Sequence, residues 1–368
     1  MDVYVERKRT GFFANLFNSI VGVLIGILFF LGSFPLLWWN EGRTDLSQLA
    51  RNSIVASPNQ ADPALEGKFV SVSAPLVAAS PLEDPLYLNP GPYASLSRQV
   101  EVYAWVEKTE TTEEKNLGGS TDTTTVYKYV KEWTATPERS SSFKIPQGHE
   151  NILPPVASQT LKASALSIGA YQLDTALVDL PSGSNLPLTP DLLKPGLRLE
   201  NGAIYAGLGT SAAPFIGDMR ITYQALRSGE NATAFGQATG NSLSTYANAD
   251  GDTLLRVLLG SREEAIAKLA SEHKLITWVL RVVGFLLMWG GLGLFFGPIN
   301  TTLDIVPFLG KAGRAVVGLA TFPVALILSL ATILLSMIFH NLILLIITVV
   351  LLIGAFIFFG RRKQPRAA

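Results

Sequence analysis

The stretch Leu16–Arg43, LFNSIVGVLIGILFFLGSFPLLWWNEGR, carries no charge until Glu41. A helix rises about 1.5 Å per residue, so about 20 such residues cross a hydrocarbon layer roughly 30 Å thick. Residues 16–39 are long enough to do so. Arg7, Lys8 and Arg9 precede them, and the excess of basic residues in cytoplasmic flanks places that end inside. Pro35-Leu36-Leu37-Trp38-Trp39 reads as an interfacial aromatic belt at the far end. A cleaved signal peptide fits less well: the apolar region is too long, and no small-x-small site follows it.

Working outward, two more stretches are nearly free of charge: Leu275–Gly297 and Ala315–Gly360. The first is one span. Ser261 and Glu264 have capping-box spacing, so a helix is expected to start at Arg262, run into the bilayer and stop at Gly297-Pro298. The second stretch is long enough for two spans, with a break at His340-Asn341. Lys311 and Arg314 precede it, and Arg361, Arg362, Lys363 and Arg366 follow. Four spans put every basic cluster on one side, with both termini cytoplasmic. The predicted order is a basic N-terminus (1–15), span one (16–39), an extracytoplasmic domain (40–260), an amphipathic helix continuing into span two (261–297), a cytoplasmic loop (298–314), span three (315–339), span four (341–360) and a basic tail (361–368).

The interval 40–274 holds 19 Lys+Arg against 26 Asp+Glu, whereas the flanks and loops, Arg281 aside, hold 9 against 3. The zero net charge therefore conceals a separation of sign such as a membrane imposes. The basic residues sit in short flanks and form no extended face, which excludes a nucleic-acid partner. There is no cysteine, so disulfides, thiol catalysis and Cys-based metal sites are excluded. Alternating segments at Lys68–Leu76, Arg98–Val106, Thr124–Thr134, Gly217–Leu226 and Asn231–Gln237 read as strands, with Glu107–Thr123 as a long hairpin loop. Leu161–Leu180 fits helix or strand. The predicted fold class is a four-span α-helical membrane protein with a β-rich α+β domain inserted between spans one and two.

Motifs for chemistry are sparse. His149, His273 and His340 lie far apart, without an H-E-x-x-H helix, a G-x-S-x-G elbow or a Walker loop. Asn248, Asp250 and Asp252 with Gly251 resemble the start of a calcium loop, but its twelfth position is Leu259, where a bidentate Glu is needed. Glu101, Glu107, Asp218 and Asp252 are carboxylates whose spacing leaves their pairing in space open, and His149 reads as a loop or cap residue. No catalytic residue, metal site or cofactor is expected.

Within the membrane the signals concern packing. Gly22-x-x-x-Gly26, Gly293-x-x-x-Gly297 and Ala325-x-x-x-Ser329 place small residues one turn apart, which lets helices approach closely. Arg281, His340 and Asn341 are the polar exceptions. Arg281 lies roughly 10 Å along the helix from Lys274. It either snorkels beside Trp278 or meets a buried partner or a lipid phosphate. Asn40-Glu41-Gly42-Arg43 reads as a fixed turn where the chain leaves the bilayer. Gly42 supplies its backbone freedom, and Glu41 and Arg43 are available to Lys274 and Arg281.

These motifs resemble the LUMA, or transmembrane protein 43, family. The resemblance rests on Asn40-Glu41-Gly42-Arg43, then Val100-Glu101-Val102-Tyr103-Ala104-Trp105-Val106-Glu107, Tyr127, Tyr129, Glu132-Trp133 and Gly148-His149. Gly217-Asp218-Met219-Arg220, Gly251-Asp252-Thr253-Leu254-Leu255 and Trp278 through Arg281 to Gly284 continue it in order, from about Gly11 to Phe359. It implies one helix, a large lumenal domain and three further helices. It also implies scaffolds of the endoplasmic reticulum and inner nuclear membrane, associated with lamins and emerin and without established enzymatic activity. The short N-terminus and the absence of Cys look more like a prokaryotic relative, for which the bacterial inner membrane is the expected location and lamina partners do not carry over.

The expected function is that of a non-enzymatic membrane scaffold. It would self-associate through its spans and present its outer domain to membrane lipids and to proteins that the sequence does not name. The rivals are a membrane-face enzyme or lipid-handling protein with a site at the outer interface, and a channel or transporter. The channel is disfavoured by spans almost without a polar lining.

Overall fold

The computed structural model describes residues 2–248, 251–341, 343, 345–351 and 353. The chain forms two units. One comprises Met1–Val5, Asp45–Glu110 and Val126–Ser271; the other comprises Glu6–Thr44, Thr111–Thr125 and Glu272–Ala368.

The first unit is built on strands. The principal ones in the chain are β1 (Val3–Thr10), β2 (Phe69–Ala78), β3 (Tyr93–Lys115), β4 (Thr121–Thr134), β5 (Leu166–Ile168), β6 (Tyr171–Leu173), β7 (Arg198–Glu200), β8 (Ala203–Ala206), β9 (Met219–Arg227), β10 (Glu230–Thr239), β11 (Ser242–Ser244) and β12 (Arg256–Leu259). One sheet has the order β1-β4-β3-β9-β8-β7. β3 and β9 run antiparallel from Met219↔Val102 to Arg227↔Tyr93. Their alternation buries Leu96, Val100, Val102, Ile221 and Tyr223 on one face.

The second sheet closes on itself. β2 pairs with β5, β5 with β6, β6 with β11, β11 with β10, and β10 returns to β2, giving a closed five-stranded ring, with β12 added at β10. Closure removes two free strand edges. Its core holds Val70, Val72, Leu76, Ile168, Tyr171, Ala234 and Leu243. The segment 161–180, which reads ambiguously in the sequence, forms parts of three short strands. Beyond short 3-10 turns and the first turns of α3 below, the only helix of this unit among the described residues is α2, Leu46–Arg51; α1, Phe12–Glu41, belongs to the second unit. The β-rich reading of this domain agrees with the structure, in which helix is confined to α2 and the start of α3.

The second unit is helical. α3 (Arg262–Phe295), α4 (Gly297–Leu303) and α5 (Pro307–His340) join α1. α3 starts on a reciprocal capping box: the Ser261 backbone N–H donates to the Glu264 carboxylate at 2.8 Å, and the Glu264 N–H donates to Ser261 Oγ at 3.3 Å. Gly297-Pro298 stops α3 but opens α4, so the predicted loop 298–314 is largely helical. α5 starts at Pro307, where the missing N–H and fixed φ of proline suit the first helical position, and Asp304 just before it pairs with Arg314 at 2.6 Å.

Among the described residues, three helices, not four, are long and apolar enough to cross a membrane. This overturns the four-span expectation, which rested on the length of one apolar run and on the basic clusters that flank it. α5 ends at His340 with Asn341 as its C-cap. The predicted fourth span, 341–360, lies largely outside the described residues, and the tail 361–368 wholly so. Nor is Glu107–Thr123 a loop: β3 runs to Lys115, leaving only Asn116–Ser120 as the turn. That turn belongs to the helical unit, where Ser120 Oγ accepts from Arg9 at 3.1 Å.

The helices meet on small residues, though not all of those expected. A Cβ on Gly26 would lie 2.7 Å from the Gly291 carbonyl, and one on Gly291 would lie 2.7 Å from the Gly26 carbonyl. A Cβ on Gly22 would touch only Leu294, at an ordinary 3.9 Å; one on Gly293 would meet nothing within 4 Å; and one on Gly297 would approach Ser19 no closer than 3.5 Å. Ala325 and Ser329 are buried, with Thr321, Thr332 and Ser336 on the same face of α5. Ala325 packs in a core with Leu37 and Met288. Gly26→Leu is therefore expected to lower the melting temperature of the detergent-solubilised chain, at an overpacking cost of roughly 3 kcal/mol. Gly22→Leu should leave the melting temperature nearly unchanged, and equal effects in the two variants would rule out the Gly26–Gly291 crossing.

Candidate functional site

The polar residues of the helical unit gather at two places. The first is where α1 ends. Glu41 is almost fully buried and accepts from Arg281 Nε at 2.8 Å and Nη2 at 2.6 Å. The Arg281 guanidinium also lies over the Trp278 ring, 5.0 Å from its centroid. Of the two readings of Arg281, the structure supplies the buried partner. Asn40 Nδ2 donates to the Thr277 carbonyl at 3.1 Å, and Arg43 Nη2 donates to Thr277 Oγ1 at 3.2 Å. Ser336 Oγ on α5 donates to the Trp38 carbonyl at 2.8 Å and lies 3.1 Å from His340 Nδ1. Asn40, Glu41, Arg43, Arg281 and His340 thus come together, whereas Asn341 serves as the cap of α5.

Gly42 is needed for a reason other than the one expected. Its backbone is ordinary, φ −89° and ψ 0°. A Cβ there would collide with the His340 ring, so the glycine makes room for α5 rather than for an unusual turn.

The second place lies toward the start of α1, where Asn15 Nδ2 donates to the Gly119 carbonyl at 2.9 Å and to Thr121 Oγ1 at 2.8 Å. Here Asp304, 3% exposed, holds Arg314 at 2.6 Å and Lys115 at 3.7 Å. The Gly118 N–H donates to the Ile305 carbonyl at 2.9 Å. Asp304, Lys115 and Asn300 line a cavity of about 740 Å³ together with Lys311, Arg314 and Trp289. Sequence reasoning passed over Asp304, Asn300 and Lys115. The one available signal was the pairing of Asp304 with Arg314, ten residues apart across a helix start.

In the β unit the carboxylates weighed for catalysis take separate structural partners. Glu101 holds Arg220 at 2.6 Å. Glu107 accepts from the Tyr129 hydroxyl at 2.7 Å. Asp252 closes a turn, its N–H donating to Asn248 Oδ1 at 2.8 Å, while Asp250 of the calcium-loop reading lies outside the described residues. His149 is 3% exposed, stacked on Tyr129 at 3.9 Å, with Nδ1 3.0 Å from the Ile145 carbonyl. Among the described residues no cluster of three metal-ligating side chains occurs. A buried group that sequence reasoning missed joins Asp84 to Arg98 Nη1 and to the Tyr223 hydroxyl, both at 2.7 Å. Burial, together with the bond to Asp84, pushes the Tyr223 phenol well above its usual range.

Asp218 is the most fully satisfied of these acids. It accepts from the Tyr205 hydroxyl and from the N–H groups of Leu208, Gly209 and Phe215. Burial pushes its carboxyl up, but these bonds outweigh it and hold the group below the ordinary range.

Two outcomes follow. Glu41→Ala and Arg281→Ala should each destabilise the chain by about 3 kcal/mol, since each strands a buried charge. The double variant should lose less than the two losses combined; strict additivity in thermal melts would rule out the pair. For Asp218, a depressed folded pKa means that its contribution is complete above about pH 4 and is lost as pH falls through the folded value. Asp218→Asn should lower stability at pH 7 and flatten the acid limb of the unfolding curve. An unchanged acid limb would remove Asp218 as its source.

Comparison with known proteins agrees over most of the chain. The sequence model of the Transmembrane protein 43 family matches residues 102–342. Transmembrane protein 43 of Mus musculus is 30% identical over 355 residues, 91% of this chain and 88% of its own length. The Homo sapiens protein is 29% identical over 354 residues, with the same coverage. The Transmembrane protein 43 homolog of Drosophila melanogaster is 31% identical over 285 residues, 73% of this chain and 74% of its own length. These relatives are animal proteins and lend no support to a prokaryotic origin. No solved structure matches. With spanning helices, a β domain and this extent of similarity, the chain is an integral membrane protein that belongs to the Transmembrane protein 43 family.

Proposed function

We propose that the chain is a non-enzymatic membrane organiser that self-associates and offers its β domain to partners. One observation carries this reading: the four most buried carboxylates described above, Glu41, Asp84, Asp218 and Asp304, are each held by donors that fix architecture. An acid committed to an arginine or to several N–H groups is poorly placed to move a proton for a substrate. The small residues of the spans support a bundle packed within one chain, so self-association is assigned to exposed helix faces rather than to Gly26. We further propose that Arg7–Arg9, Lys311 and Arg314 lie on the cytoplasmic side.

The test has two parts. Lys8→Cys and Lys311→Cys should both resist an impermeant thiol reagent added from outside, and labelling of either would reverse the orientation. Photo-crosslinkers placed singly across the β domain in native membranes should trap the same partner, or a second copy, from one contiguous face. Crosslinks to no protein from any face, with single-molecule counting that gives a monomer, would overturn the organiser reading.

A further inference from the structure

We propose that the helical unit binds a phospholipid with a primary-amine headgroup, its polar part in the cavity at Asn300 and Asp304 and an acyl chain along the groove beside it. The cavity is a built polar site. Asn300 is 8% exposed and lines it, and its Oδ1 has no hydrogen-bond partner. A buried acceptor left open is unfavourable unless something donates to it.

The charges around the cavity indicate what donates. Lys115, Lys311 and Arg314 stand against Glu113, Glu114 and Asp304. Asp304 already serves both Arg314 and Lys115, so one carboxylate is shared by two cations. Lys311 adds a third positive charge to the lining, and Glu113 and Glu114 add two further negative ones. A group carrying a phosphate and an ammonium matches both. An ammonium with N–H bonds also donates to Asn300 Oδ1, which a quaternary amine cannot do.

The apolar part follows from the glycines. Gly290, Gly293 and Leu294 line the cavity and also a neighbouring apolar groove of about 480 Å³, completed by Phe29, Val283, Leu286 and Leu287. A Cβ on Gly290 or Gly293 would meet no atom within 4 Å. The passage from polar cavity to apolar groove is therefore held open by side chains that are absent. Trp289 flanks it, with Nε1 donating to the Gly318 carbonyl at 3.2 Å. A polar pocket opening into an apolar groove fits a lipid better than a soluble ion. The site stands apart from the organiser reading, since a monomer would bind the lipid equally.

The experiment is native mass spectrometry of the full chain in detergent, titrated with phosphatidylethanolamine, phosphatidylcholine or phosphatidylglycerol, and separately with soluble glycerophosphoethanolamine as competitor. Phosphatidylethanolamine should be retained about tenfold better than phosphatidylcholine, the size of one net hydrogen bond to a charged group. Gly293→Leu should abolish retention without changing the melting temperature, because it fills only open space. Asn300→Leu should bring the two lipids to equal retention. Equal retention by the unaltered chain, preference for phosphatidylglycerol, unchanged binding in Gly293→Leu, or displacement by the soluble headgroup would each overturn the proposal.

Discussion

Hydrocarbon does not tolerate an unpaired charge, and the arrangement of α1 and α3 follows from how one such charge is met. Arg281 sits in the middle of a helix that is otherwise fit to span a bilayer. Glu41 lies at the last turn of another, and two hydrogen bonds join them. The bidentate geometry sets both the depth and the rotation of one helix against the other, as a single-point contact would not. Once that register is set, Gly26 faces Gly291, Leu37 fills the space left by Gly284, and Trp38 offers its carbonyl to Ser336 of α5. The polar pair comes with an apolar interface whose pieces fit only in that alignment.

The same use of charge recurs in the β unit, where Asp84 ties β3 to β9 through Arg98 and Tyr223, and Asp218 gathers the N–H groups of a loop that no strand satisfies. Asp218 takes the place of secondary structure by accepting backbone hydrogen bonds that would otherwise be lost, whereas Asp84 satisfies two buried side chains that already face each other in the ladder. Asp304 differs in one respect. It lies at the rim of an open cavity, and beside it an amide oxygen remains unmatched. The protein thus contains acids whose surroundings are closed and one whose surroundings have room.

How much of this was legible depended on the range of the interaction. The capping box at Ser261, the stop at Gly297-Pro298, the break at His340 and the alternation of Val100, Val102 and Ala104 are local, and period and composition suffice to find them. Glu41 and Arg281 are 240 residues apart, yet both stood out as charges beside apolar runs, so their pairing could be guessed. Asp84 and Arg98 could not be found in this way, because each looks like an ordinary polar residue of a strand. The ends of β3 and β4 misled for another reason: residues 107–115 and 121–123 are so polar that they resemble a loop, whereas a two-stranded ribbon needs no apolar face to keep its backbone paired. Span counting failed although hydropathy and the placement of basic residues agreed, because neither reports where a helix ends.

The closed ring sets the order in which this protein can be made. β2 and β10 are hydrogen-bonded neighbours, with Ser73 opposite Thr233 at a separation of 160 residues. On a ribosome, β2 emerges soon after the first span; Ile54–Val55 can pair with one of its edges at once and β5 joins that edge later, but the edge that takes β10 stays open for most of the domain's synthesis. Until β10 arrives it presents an unpaired edge, the kind of edge that recruits other chains. β10 is followed closely by the capping box that starts α3, so the ring becomes able to close only as the second span is about to be delivered to the membrane. Biogenesis of the β domain and insertion of the helices are thereby coupled in time, and the interval between them is when the nascent chain most needs a chaperone.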